Sequence, residues 1–129
     1  MRITLATINK ISINQAIDIG IIEKTGLNFP DERGSMNVVA ESLNNAAFKY
    51  TKSHPGVLRG LHWQNLNSPQ KKIISVGRGS VILFLLEIND GIPSDNLNAI
   101  EINEDTGWFA VKENYAHGYL SLVDSTFYY

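Results

Sequence analysis

The residues best able to do chemistry gather in one short run, Gly56-Val57-Leu58-Arg59-Gly60-Leu61-His62-Trp63-Gln64. Two glycines bracket an arginine, and a histidine and a glutamine then alternate along what reads as a strand. Side chains on a strand repeat with a period of two, so His62 and Gln64 share a face, and Gly60 lies on it with them. If that face looks into a barrel, His62 is a polar group in an apolar cavity and needs a partner or a task. A core histidine bonded to a backbone carbonyl is the plainer alternative, and spacing alone does not separate the two. Lys72 opens the next strongly β-like run. Drawn into a pocket, its ammonium is a fixed cation able to stabilise a developing oxyanion. Left outside, it is a solvated strand end. Lys71 points to the opposite face, so one of the two lysines is surface. His117 stands in Tyr115-Ala116-His117-Gly118-Tyr119 and enters another strand, where it is either a pocket residue or incidental to an aromatic-rich strand end. His54, before Pro55, reads as an exposed loop residue.

The elements that must position these groups are strands. Lys72–Val76 and Ser80–Ile88 are the clearest, and the intervening Gly77-Arg78-Gly79 reads as the turn of a hairpin. Val81–Ile88 is apolar at nearly every position except Glu87, which suits a strand covered on both faces. Ala99–Ile102 and Trp108–Val111 follow, joined by the turn formers of Asn103–Gly107. His117–Leu122 and Thr126–Tyr129 are the last strands, and Gly20–Lys24 and Val38–Ala40 are weaker ones. Helical signal is poor, with one or two turns expected over Ser42–Tyr50 behind Ser42 as cap. Loops are expected at Asn28–Ser35, His54–Gly56, Asn65–Gln70 and Asn89–Asn98. Many short strands with regular turn signals predict an all-β sandwich or barrel in one domain, residues 1–129.

Composition sets the class. With 129 residues, 43% hydrophobic and 19% charged, the chain can bury a core and does not read as disordered. It has no cysteine, which excludes disulfide frameworks, thiolate catalysis and zinc–cysteine sites. A net charge of −2 with scattered lysine and arginine lacks the basic cluster of a nucleic-acid-binding face. Met1–Lys10 has no long apolar stretch and does not read as a signal peptide. The longest apolar run, Val81–Leu86, is too short to span a bilayer. The expectation is a cytoplasmic protein with neither a nucleic-acid nor a membrane partner.

A metal is not expected. The metal-binding cupin motif is a His-x-His followed by a glutamate. Here His62 takes the first position, Gln64 the second, and Asn67, Ser68 and Pro69 stand where the glutamate belongs. His62 and His117 remain as good ligands, with Glu87 as a candidate third, whereas a metal site normally wants three or four protein ligands.

Gly56–Gln64 followed by Gln70, Lys72 and Gly79, then Tyr115–Tyr119, resembles the dTDP-4-dehydrorhamnose 3,5-epimerases. Asp31-Glu32-Arg33-Gly34 resembles them too, so the likeness runs from about Asp31 to Tyr129. The resemblance implies a metal-free, cofactor-free cupin jelly roll, a homodimer acting on a nucleotide-linked 4-keto-6-deoxy sugar. It implies inversion of carbon 3, carbon 5 or both, by removal of a proton next to the ketone. His62 falls at the family's base position and Lys72 at the position of the lysine that steadies the enolate. Tyr129 falls at the position of the tyrosine that returns the proton if the chain carries a one-residue deletion; otherwise Tyr128 does. Arg59, Gln64 and His117 match pocket residues, and Arg33 matches a contact to the nucleotide diphosphate, for which the arginine fork is suited.

The sequence departs from the family at several places. The family continues past this tyrosine with a second tyrosine and an aspartate that orients the base histidine, and neither occurs here. Ala47 and Lys49 replace a substrate-contacting glutamine and asparagine, and Ser35, Met36, Asn37 and Val38 replace phenylalanines and a glutamate. Lys112-Glu113-Asn114 replaces proline-glutamate-glycine before the second histidine; Asn114 tolerates left-handed backbone, so that turn can survive. Two other readings follow: a 3,4-ketoisomerase of the same substrate class, and a non-catalytic sugar- or nucleotide-binding cupin, including a structural subunit paired with a full-length epimerase. Ile3–Ile22 carries apolar residues without an obvious place and is a candidate for a dimer interface.

Overall fold

The computed structural model describes residues 7–24, 27–31, 34–38, 50–63 and 72–128. Among the described residues twelve strands and one short helix follow in the order β1 (Thr7–Lys10), α1 (Ile13–Asp18), β2 (Ile22–Lys24), β3 (Leu27–Asp31), β4 (Gly34–Val38), β5 (Tyr50–Ser53), β6 (Leu58–His62), β7 (Lys72–Arg78), β8 (Ser80–Asn89), β9 (Ile92–Asn103), β10 (Phe109–Val111), β11 (Tyr115–Ser121) and β12 (Ser125–Tyr128). One five-stranded sheet runs β1-β9-β8-β11-β6 and the other β2-β10-β7-β12-β5, with β3-β4 as a separate hairpin. The all-β architecture is the one expected.

The core lies between the two large sheets. Val81, Leu83 and Leu85 of β8, Ile100 and Ile102 of β9, Ile74 and Val76 of β7, and Phe109 and Val111 of β10 form one cluster, each at most 2% exposed. Side chains of this size contribute about 1.5–3 kcal/mol each when fully buried. The opposite face of β8 is covered as well. Leu86 and Ile88 pack with Leu97 and Ala116, and Leu61, Trp63 and Phe84 lie against them. This two-sided burial explains why β8 is apolar almost throughout.

Several expectations change. The strands on either side of Gly77–Gly79 do not pair: β7 bonds to β10 and β12, and β8 to β9 and β11. The chain crosses there from one sheet to the other through Gly79, at φ +90°, where a Cβ would stand 2.7 Å from the carbonyl oxygen of Asp124. The true hairpin joins β8 to β9. Asn89 pairs with Ile92 around Asp90-Gly91, whose φ values of 50° and 76° suit a two-residue type I′ turn. Asn89–Asn98, expected as a loop, is therefore mostly strand. Residues 28–31 and 34–35, also expected in a loop, belong to β3 and β4, where Asp31 pairs with Gly34. The helix expected over Ser42–Tyr50 lies outside the described residues up to Lys49, and Tyr50 begins β5.

Part of the described N-terminal stretch packs within its own chain, while Ile8 and Ile19 stay exposed at 61% and 64%. β1 pairs in parallel with β9. Ser12 and Gln15 form a reciprocal capping box that starts α1. Gly20 at φ +79° ends it, with Gly20 N–H bonding Ile17 O and Ile21 N–H bonding Ala16 O, the two bonds of a Schellman cap. Ala16, Ile21 and Ile22 are buried in the main core. No described helix is long and apolar enough to cross a membrane.

Candidate functional site

β6 is the edge strand beside β11, and its irregularity builds the site. His62 pairs with His117, Arg59 with Tyr119 and Leu58 with Leu120. Two residues, Gly60 and Leu61, thus oppose the single residue Gly118, which is a β-bulge. A bulge breaks the period of two and re-aims the side chains beyond it. In a regular strand Arg59 would face away from His62. Here both line one open cavity of about 290 Å³, together with His117 and Tyr119. Gly60, expected on the face of His62, lines the same cavity. The strands approach so closely at the bulge that a Cβ on Gly60 would lie 2.6 Å from Gly118 Cα, and one on Gly118 would lie 2.5 Å from Arg59 O.

The two histidines occupy different depths. His117 is buried, at 6% exposure, whereas His62 is exposed at the rim. Their ring centroids are 6.1 Å apart at an interplanar angle of 64°. Burial, then the Lys72 ammonium, then His62 lower the His117 pKa to about 4. His117 is therefore a neutral imidazole near pH 7, a donor at one nitrogen and an acceptor at the other. Lys72 reaches it from the facing sheet: Ile74 and Val76 of β7 point into the core, and the period of two sets Lys72 on their face. The site draws cationic groups from both layers, which suits an anionic ligand or a developing negative charge.

Arg59 is held from below. Its Nε donates to Ser53 Oγ at 2.9 Å and its Nη2 to Lys52 O at 3.3 Å. Ser53 Oγ is 2.8 Å from Tyr119 Oη, which is 2.6 Å from Thr51 Oγ1. Beyond the cavity, Tyr115 and Glu87 are register partners. Burial and then the Glu87 carboxylate push the Tyr115 phenol above its ordinary value, so it stays protonated.

The structure thus brings Arg59, His62 and His117 to one cavity and sets Lys72 within electrostatic reach. Backbone alone places Tyr128, opposite Ser75 of β7 and Tyr50 of β5. β12 runs antiparallel to β7 there and advances toward the Lys72 end. Tyr129, Gln64, Arg33 and Lys71 lie outside the described residues. His54 is exposed, 3.5 Å from Asp124, which is exposed too. The turn before β11 forms through Tyr115 N–H to Lys112 O without left-handed backbone at Asn114. Among the described residues no cluster of three or more His, Asp or Glu side chains is suited to hold a metal ion. Sequence reasoning misses Tyr119, although its two-residue spacing from His117 puts both on one face. Ser53 and Thr51 carry no such signal.

Residues 20–129 match the family model described as dTDP-4-dehydrorhamnose 3,5-epimerase. The curated enzyme of that name from Mycobacterium tuberculosis is 29% identical over 109 residues, covering 81% of this chain and 54% of the relative. The chain thus spans about half the length of the curated relatives it matches. The solved structure of a Mycobacterium tuberculosis epimerase superposes with a TM-score of 0.69 at 28% identity, over 86% of this chain and 62% of that one. A Legionella pneumophila 3,5-epimerase solved with dTDP-4-keto-L-rhamnose gives 0.61 at 25% identity, over 81% and 62%. Family match and fold agree, and the chain belongs to the dTDP-4-dehydrorhamnose 3,5-epimerase family.

Proposed function

We propose that the protein is an epimerase of a nucleotide-linked 4-keto-6-deoxy sugar, inverting carbon 3, carbon 5 or both. The observation that carries the reading is the convergence of His62, His117 and Arg59 on one cavity, with Lys72 facing it from the other sheet. In this reading His62 removes the proton next to the ketone; an imidazole at an open rim is accessible to substrate and solvent. The enolate oxygen that forms is stabilised by Lys72, with neutral His117 as a hydrogen-bond donor. The proton returns on the opposite face of the sugar from Tyr129, or from Tyr128. Arg59 and Arg33 take the anionic diphosphate, and Gln64 contacts the sugar. The chemistry is a proton removal and return, so no cofactor is required.

The same reading includes a cytoplasmic homodimer in deoxysugar biosynthesis, supported by the family resemblance. A second reading, a binding module without turnover, has one observation in its favour. Among the described residues nothing hydrogen-bonds His62 to fix its tautomer, and an unoriented base loses rate. The test is incubation with dTDP-4-keto-6-deoxyglucose in deuterium oxide, followed by proton NMR. Deuterium entering carbon 3 or carbon 5 supports the epimerase, and a single labelled carbon would mean single-carbon specificity. Binding of dTDP without exchange would favour the module.

A further inference from the structure

The guanidinium of Arg59 is tied to the protein core by three hydroxyls that the proposed chemistry does not use. Tyr119 is 3% exposed and belongs to the main core cluster, yet its hydroxyl lies between Ser53 Oγ at 2.8 Å and Thr51 Oγ1 at 2.6 Å. Ser53, 6% exposed, accepts from Arg59 Nε at 2.9 Å. A hydroxyl that accepts from a cation is polarised to donate its own proton onward. Ser53 accepts from Arg59 Nε–H; either hydroxyl of the Ser53–Tyr119 and Tyr119–Thr51 pairs can donate, and polarisation by the guanidinium favours the order Ser53 O–H to Tyr119 and Tyr119 O–H to Thr51. Each link strengthens the next. Together with the bond from Nη2 to Lys52 O at 3.3 Å, this chain occupies the Nε–Nη2 edge of the guanidinium. The Nη1–Nη2 edge is the one that can take two oxygens of an anion.

We propose that Tyr119, acting through Ser53 and Thr51, is a positioning residue for Arg59 and sets the orientation in which the guanidinium receives the phosphate oxygens of a nucleoside diphosphate. The inference rests on reading the cavity as the site of a nucleotide-linked ligand. The physical reason is entropic. Arg59 sits on an edge strand with its long side chain partly in water, and an untethered arginine surrenders rotamer freedom on binding. A guanidinium already held by a buried hydroxyl chain has lost that freedom in the free protein. Removing the Tyr119 hydroxyl leaves Ser53 with a buried donor and no acceptor, and the serine then reorients away from Arg59; removing the Thr51 hydroxyl does the same to Tyr119, one link further out.

The test is a double-mutant cycle on dTDP binding, read by ligand-observed NMR, with Tyr119→Phe, Arg59→Ala and the two combined. Tyr119→Phe is expected to weaken dTDP binding about tenfold. In the Arg59→Ala background the same substitution is expected to change binding by less than about twofold, because there is no guanidinium left to orient. A merely structural role would weaken binding equally in both backgrounds, and that additive result overturns the inference. Thr51→Val and Thr51→Ser give a second comparison should Tyr119→Phe not fold. Thr51→Val is expected to weaken binding only when Arg59 is present, and Thr51→Ser, which keeps the hydroxyl, to restore it. Equal losses for the two, or a Thr51→Val loss that persists without Arg59, overturn the inference. Wild-type protein that binds no dTDP would remove the nucleotide reading and this inference together, whereas wild-type binding with additive losses removes the inference alone.

Discussion

Arg59 and His62 line the same cavity although Gly60 and Leu61 separate them, because those two residues together face Gly118 across the ladder. The bulge needs both glycines. Gly60 stands at φ +110° with Gly118 Cα 2.6 Å from where its Cβ would be. Gly60→Ala is therefore expected to cost about 2–4 kcal/mol, from backbone strain and a clash with main chain that cannot move aside. Gly20→Ala is the control, since Gly20 has φ +79° but nothing within 4 Å of its Cβ position; it should cost only about 1–2 kcal/mol, the strain of left-handed backbone alone. Urea unfolding measures both. Equal costs would mean that the close approach of β6 and β11 is not there.

The electrostatics of His117 give a second expectation. Its pKa is lowered to about 4 by burial, then by Lys72, then by His62. Lys72→Met removes the larger of the two charge effects and should raise the pKa toward 6.5; burial keeps it from arriving there. Titration of the imidazole carbon-bound protons by NMR reads this directly. An unchanged value would mean that the Lys72 ammonium is turned away from the cavity.

Stability should follow the same group. His117 titrates near 6.5 in the unfolded chain and at about 4 when folded. Between those values the unfolded state binds more protons, so the folded state loses stability as the pH falls from about 6.5 to about 4 and loses no more below. The full effect is on the order of 3 kcal/mol. His117→Asn should abolish that part of the pH dependence while leaving the contribution of the carboxylates. Unfolding curves at pH 7.5 and 4.5 for both proteins test it, and identical pH dependence in the two would contradict the assignment.

The parts of this molecule legible in its sequence are those fixed by local pattern. Val81–Ile88 reads as a strand because both its faces are covered, and His62, Lys72 and His117 stand out because polar groups in β-rich runs need a use. Pairing is less accessible. Gly77-Arg78-Gly79 has the composition of a hairpin turn, yet whether two runs bond or cross between sheets depends on what lies beside each. β7 finds β10 and β12, which sit far along the chain. The true turn, Asp90-Gly91, carries a strong local signal. It is hidden because the first half of β9 is polar and exposed, so it resembles a loop. The Ser12–Gln15 capping box is likewise written in the sequence. The bulge is not: nothing in Arg59-Gly60-Leu61-His62 says that Gly118 will face two residues at once. The link from Tyr119 to Ser53 is tertiary, and no local pattern contains it.

The central claim, that His62 is the base acting on a nucleotide-linked keto sugar, is tested most directly by comparing wild type and His62→Ala with dTDP-4-keto-6-deoxyglucose in deuterium oxide. Proton NMR follows the signals at carbons 3 and 5. The account predicts exchange at one or both carbons by the wild type, slowed by at least about 10²-fold in His62→Ala, with dTDP still bound by both proteins. Exchange at an undiminished rate in His62→Ala, or none by a wild type that binds dTDP, would contradict it.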